Sequence, residues 1–252
     1  MTDDTHETER WVRPAIGRLE GSRIRQVAES NIGRDAVIAL WFGEPDLPTP
    51  DYIKNAVHEA LDNDHVFYAQ NRGIPPLRET IASYSTNLIG RPIDVDRITV
   101  SASGMAAIML VSQALVDAGD NVLIIGPLWP NCAGTVEVMG GEARSVPLKP
   151  DETGTWHLDM NDIAAACDDR TRAIYVNSPG NPTGWVMESD QQRELLEFAR
   201  TRGVYIVSDE VYIRLIYDRA RAPSFLDLAE PDDRVIVVNS FSKSWSMTGW
   251  RL

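Results

Sequence analysis

The chain has 252 residues, 43% of them hydrophobic and 24% charged, so a packed core is expected and bulk disorder is excluded. Lys and Arg number 24 against 37 Asp and Glu, a formal net charge of −13, which argues against non-specific binding to nucleic acid or an anionic membrane. Two cysteines, Cys132 and Cys167, are too few for a disulfide framework and suit a reducing cytoplasm; four scattered histidines show no metal-ligand spacing, and no apolar run approaches a membrane span.

Residues 1–10 are polar and acidic and lack the pattern of a signal or transit peptide. Residues 11–34 predict an arm followed by an amphipathic helix with Ser22, Ile24, Val27 and Ala28 on one face. The apolar run 37–42 is broken by Gly43-Glu-Pro-Asp-Leu-Pro-Thr-Pro50, whose prolines enforce an extended loop. A helix is expected from Pro50 or Asp51 to about Leu61, and another after Pro75-Pro76, with Leu77, Ile81 and Tyr84 at helical spacing.

From there strands and helices alternate. Residues 97–101, 121–126, 143–148, 172–177, 204–208 and 234–240 predict strands, and residues 104–116 and 190–202 predict helices. Continuous apolar strands separated by helices indicate an α/β fold: a mostly parallel sheet with helices on both faces. Residues 1–42 are expected to form an N-terminal arm and part of a smaller domain, and residues 43–252 a large domain, incomplete at its C-terminus. The chain stops at Gly249-Trp250-Arg251-Leu252 in what reads as the entry to another element.

Open α/β sheets bind ligands at the carboxyl ends of their strands. The residues just past the predicted strands include Ser103, Gly104, Trp129, Asn181, Asp209, Tyr212, Ser240, Ser242 and Lys243. Hydroxyls, amides, an indole, a carboxylate, a phenol and an amine suit an aromatic, phosphorylated, carbonyl-bearing ligand better than a nicotinamide or a metal.

Ser103-Gly104-Met105 precedes a helix, where free N–H groups and the helix dipole favour a phosphate; an ordinary helix cap explains the same residues. Ser240-x-Ser242-Lys243 adds two hydroxyls, and Arg251 can grip a phosphate bidentately. Lys243 sits among Phe241, Trp245 and Met247, where desolvation favours the neutral, nucleophilic amine; the alternative is a snorkelling surface lysine. Asp209 ends a buried strand and needs a cationic partner, for which a pyridinium N–H serves; it is equally a candidate helix N-cap. Tyr212 and Asn181 are placed to bond a ring oxygen, and Trp129 to stack on a ring or fill the core.

Three motifs, Asn177-Ser-Pro-Gly-Asn-Pro-Thr-Gly184, Ser208-Asp-Glu-Val-Tyr212 and Ser240-Phe-Ser-Lys-Ser-Trp-Ser-Met-Thr-Gly-Trp-Arg251, together resemble class I aminotransferases of pyridoxal 5′-phosphate (PLP) fold type I, from about Val37 to Leu252. The resemblance implies a transaminase moving an amino group between an amino acid and a 2-oxo acid by a ping-pong route. It implies Lys243 as the Schiff-base lysine and acid–base, Asp209 on the pyridine nitrogen, and Asn181 and Tyr212 on the ring O3′. It implies Trp129 stacked on the ring, and Ser103, Gly104, Met105, Ser240, Ser242 and Arg251 around the phosphate. Gly43 resembles the glycine, and Asn181 an asparagine, that meets the substrate. Tyr68 resembles the tyrosine that reaches the phosphate of a neighbouring subunit, which implies a homodimer.

The family's chain runs well past the lysine, into a smaller domain that supplies the arginine for the substrate α-carboxylate. This chain is therefore expected to be a fragment, weakly active or inactive alone. A PLP-dependent carbon–sulfur β-lyase shares the same residues and is the alternative enzyme. A non-catalytic ligand-sensing module of a transcription regulator is the alternative class; the mixed and acidic residues ahead of Gly43 argue against it, as they lack basic clusters.

Overall fold

The computed structural model describes residues 11–19 and 21–252; the polar start at 1–10 and Glu20 lie outside it. Four apolar runs become adjacent strands: β1 (Asn121–Gly126), β5 (Thr171–Asn177), β6 (Tyr205–Asp209) and β7 (Val235–Val238). With β2 (Glu142–Pro147) they form a five-stranded sheet in the order β2-β1-β5-β6-β7, and every pair is parallel. The short strands β3 (Lys149–Pro150) and β4 (Trp156–His157) pair antiparallel outside it.

Alternate side chains feed two cores, as a period of two demands. Leu123 and Ile125 of β1, Ile174 and Val176 of β5 and Ile206 of β6 share one cluster. Leu195, Leu196 and Ala199 of helix α8 (Ser189–Arg202) close that face. Val122, Ile124, Ala173, Tyr175 and Val207 point the other way. There they meet Ile108 of α5 (Gly104–Leu115) and Cys132 and Val136 of α6 (Asn131–Val138). The expected sheet covered on both faces is therefore present.

The remaining helices are α1 (Pro14–Gly17), α2 (Arg23–Glu29), α3 (Asp51–Asp62), α4 (Pro75–Ile89), α7 (Met160–Ala166) and α9 (Phe241–Ser244). Gly90 and Gly203 end α4 and α8 in the left-handed conformation that glycine adopts without steric cost.

Two expectations change, at residues 97–101 and on α2. Residues 97–101 form no strand; a 3-10 turn at Val95–Arg97 runs into extended, unpaired chain. Arginines hold this segment in place of a sheet neighbour: their side chains take the Ile98 carbonyl and two carbonyls of the preceding turn, and the Val100 N–H donates to the Arg72 carbonyl at 3.0 Å. Arg78 Nε donates to Ile98 O at 3.0 Å and its Nη2 to Val95 O at 2.7 Å, while Arg72 reaches the Asp96 and Ile98 carbonyls. On α2 only Ala28 is buried, with Ile24 and Val27 exposed. The run at 37–42 pairs with no strand, and Ile38 and Leu40 are 83% and 86% exposed. Among the described residues no helix is long and apolar enough to cross a membrane.

Candidate active site

Parallel strands put their carboxyl ends along one edge, and the chemistry gathers there. Asn177 ends β5 directly beside Asp209, which ends β6. Asn177 Nδ2 donates to the Asp209 carbonyl at 3.1 Å, and its Oδ1 accepts the Asn181 N–H at 2.8 Å. Asn181 in turn ties three loops together. Its carbonyl accepts the Trp129 N–H at 3.0 Å, and its Nδ2 donates to the Tyr212 hydroxyl at 3.3 Å. Trp129 is half-buried and belongs to neither core cluster, so packing the interior is not its role.

The Asp209 carboxylate is 6% exposed. Tyr175 Oη donates to its Oδ2 at 2.7 Å, and the Val211 N–H approaches Oδ1 at 3.3 Å. Among the described residues no cation pairs with it. Burial raises its pKa, and the Tyr175 hydrogen bond opposes that rise. A buried carboxylate without a cation is costly to the fold.

Lys243 is half-buried in α9, and its Nζ donates to the Gly43 carbonyl. The ammonium stands 5.9 Å from the centroid of the Tyr212 ring. Desolvation lowers its pKa, Glu44 opposes this, and Arg251 adds to it. Tyr212 sits between the two poles: burial raises its pKa, Asn181 opposes and nearby Asp209 adds. The extended loop carrying Gly43 docks through Thr49, whose hydroxyl donates to the Ser246 carbonyl and accepts from Trp250 Nε1 at 2.9 Å. A cleft of about 390 Å³ opens between the 45–49 and 246–250 segments, and neither Lys243 nor Asp209 lines it.

At the start of α5, Ser103 Oγ accepts the Ala106 N–H at 3.0 Å, so its hydroxyl caps the helix. The Gly104 and Met105 amides have no intrahelical acceptor, as at any helix start. Gly104 faces the β7 exit: an added Cβ would lie 3.5 Å from Ser240 Cβ. Ser240 Oγ donates to the Leu252 carbonyl at 2.8 Å, which brings the Arg251 segment beside it, and lies 3.0 Å from Ser242 Oγ, whose hydroxyl can donate to it. Arg251 is exposed, and its Nη1 donates to Thr248 O at 2.8 Å. The Met105 side chain packs against the apolar cluster under α5, leaving only its backbone toward the cup. Tyr68 is 107% exposed and joins no part of this group.

Sequence reasoning gave no role to Tyr175, Asn177 or Glu210. The signal for Tyr175 was a lone phenol within an apolar strand, two residues before Asn177 and so on its face. Glu210 is 1% exposed and accepts Ser208 Oγ at 2.9 Å, Ser224 Oγ at 2.6 Å and the Phe225 N–H at 3.1 Å. It clamps the chain after β6 to residues 224–225. Burial pushes its pKa up to about 7 from 4.5, against the lowering effect of its donors.

With the folded value above the unfolded one, the stability that Glu210 contributes is full below about 4.5 and lost as pH rises through about 7. Across that window wild type should lose about 3 kcal/mol relative to Glu210→Gln. Urea midpoints of both apo-proteins at a series of pH values check this. A difference independent of pH refutes the assignment.

An open parallel sheet with helices on both faces defines an α/β protein, and its buried carboxylate, desolvated lysine and free helix-start amides gather at one edge of that sheet. The family model described as aminotransferase class I and II matches residues 35–252, and the chain belongs to that family. A probable aspartate/prephenate aminotransferase of Aquifex aeolicus is 39% identical over 220 residues, 86% of this chain and 55% of the relative. An aspartate aminotransferase of Pyrococcus horikoshii is 33% identical over 93% of this chain and 59% of its own length. The crystal structure of aspartate aminotransferase from Thermotoga maritima superposes with a TM-score of 0.88 at 33% identity, covering 95% of this chain and 64% of that one. The chain thus spans a little over half the length of the curated relatives it matches.

Proposed function

We propose that this chain forms the cofactor-binding part of a PLP-dependent aminotransferase that exchanges an amino group between an amino acid and a 2-oxo acid. One observation carries the reading: Asp209 is a buried carboxylate without a cationic partner among the described residues, on the same edge as a desolvated lysine. A pyridinium N–H supplies the missing cation. The other donors fit the same group. Lys243 offers the amine for covalent attachment, and Tyr212 and Asn181 offer a phenol and an amide for the ring oxygen. Trp129 offers a stacking face. The Gly104 and Met105 amides, the cap hydroxyl of Ser103, Ser240, Ser242 and Arg251 offer a cup for the phosphate.

When bound, PLP supplies an electron sink for the bond to the substrate Cα. The protein's part is to hold and move protons. Asp209 keeps the ring nitrogen protonated, and Lys243 takes the Cα proton and returns it. Asn181 and Gly43 orient the substrate. Residues 43–252 would be the PLP-binding large domain, and residues 1–42 an arm and part of a smaller one. Tyr68, with exposed Phe67 and Val66 beside it, is free to meet a second subunit, which supports a homodimer with shared sites.

The test is to reconstitute the full-length protein with PLP and follow the visible absorption of the lysine-bound cofactor while amino donors are added. Aspartate comes first, because relatives bear that name. Loss of the band with a new amino acid formed from the acceptor is the expected result. Pyruvate and ammonia would replace transfer by elimination, and no cofactor uptake would overturn the reading.

A further inference from the structure

Tyr175 is a buried phenol that none of the roles above uses. It is 2% exposed, and its hydroxyl donates to Asp209 Oδ2 at 2.7 Å. Strand register brings the two together. Tyr175 pairs with Val207, and Asn177 with Asp209 two positions on, so phenol and carboxylate share a face of the sheet. The two carboxylate oxygens are therefore unlike. Oδ2 has a short, well-formed donor, whereas Oδ1 has only the Val211 N–H at 3.3 Å.

The surroundings are dry. Cys132, Ala173 and Val207 pack beside the phenol, each 4% exposed or less. No solvent competes for the hydroxyl in such a place, and the bond gains strength from the low local dielectric. Burial, with Asp209 and Cys132 adding to it, holds the phenol's pKa well above its ordinary value, so it stays a donor. Burial likewise keeps the Cys132 thiol protonated. Neither neighbour puts a second negative charge beside Asp209.

We infer that Tyr175 is a positioning residue that pins Asp209 Oδ2, favours the charged carboxylate, and leaves Oδ1 for the protonated ring nitrogen of the cofactor. This rests on the function proposed above. A hydrogen bond to the charged form is the one local feature that offsets the desolvation of Asp209 by more than a long backbone contact. Without it the acid is more readily neutral, and the ring nitrogen loses its proton more readily.

The experiment uses the full-length holoenzyme loaded with PLP labelled with ¹⁵N in its ring, at neutral pH. Wild type is expected to show the shift of a protonated ring nitrogen. Tyr175→Phe keeps the ring's volume and removes the hydroxyl. Its ¹⁵N signal should move toward the unprotonated position, its PLP dissociation constant should rise about tenfold, and kcat should fall about tenfold with KM little changed. Cys132→Ala loosens the packing beside the phenol but keeps the hydroxyl, and should keep the wild-type ¹⁵N position. An unmoved signal in Tyr175→Phe overturns the inference alone. A signal that moves equally in Cys132→Ala also overturns it, because packing and not the hydroxyl would then set the ring's protonation. Wild type that takes up no PLP overturns the functional reading itself, a failure visible before any variant is compared.

Discussion

Lys243→Ala is expected to remove covalent retention of PLP and to lower turnover by about 10²–10⁴-fold, the scale of losing a general acid–base group. The argument starts from the amine's position. Lys243 is half-buried in α9, with its Nζ on the Gly43 carbonyl and near the Tyr212 ring. Desolvation lowers its pKa, so more of it is neutral at working pH than for a surface lysine. A neutral amine is the nucleophile that a carbonyl cofactor requires. Alanine supplies nothing in its place. Lys243→Arg separates charge from nucleophilicity: a guanidinium keeps the positive charge but is not deprotonated. It should therefore fail like alanine. Borohydride reduction followed by peptide mass mapping reads the result directly. Wild type should carry the cofactor's mass on the peptide containing residue 243, and both variants should carry none. Reduced cofactor on a different lysine in wild type would remove Lys243 from the role.

The parts of the fold visible in the sequence were those set by local pattern. Val-Leu-Ile-Ile at 122–125 is apolar on both faces because helices cover both faces, and that run length is itself the signal; Val-Ile-Val-Val at 235–238 carries the same signal at the sheet edge, where it is only partly covered. The site residues at strand ends followed from the same logic, since parallel strands deliver their carboxyl ends to one edge. Residues 97–101 misled because β-branched composition says nothing about partners. Arg72 and Arg78, about twenty residues earlier, take the Ile98 carbonyl and those of Val95 and Asp96 just before it, and no strand lies beside the run. The partner of Tyr175 could not be read for a related reason, although a lone phenol in an apolar strand marked the residue. Its meaning depends on the register of β5 against β6, and register is a property of two strands that no single run encodes. Glu210 follows Asp209, and nothing in its own run marks it; only the return of residues 224–225 over it makes it a buried clamp.

Asp209→Asn should separate function from stability more sharply than any other substitution. The carboxylate is buried without a cation among the described residues, and its pKa is raised by desolvation. Its folded value lies above its unfolded one, so its contribution to stability is lost as pH rises through the folded value. The amide does not titrate. The apo-protein of the variant should therefore be at least as stable as wild type at neutral pH, and its advantage should shrink as pH falls. The amide oxygen still accepts from Tyr175, so that hydrogen bond survives. Turnover should move the other way, falling on the order of 10²–10³-fold, the loss typical when a preorganised electrostatic partner is removed. Denaturant midpoints of the apo-proteins and kcat of the reconstituted full-length enzymes measure the two effects. A group kept at a cost to the empty fold is retained for what it binds. Loss of both stability and turnover would instead mark Asp209 as a structural acid, and the ring-nitrogen assignment would go with it.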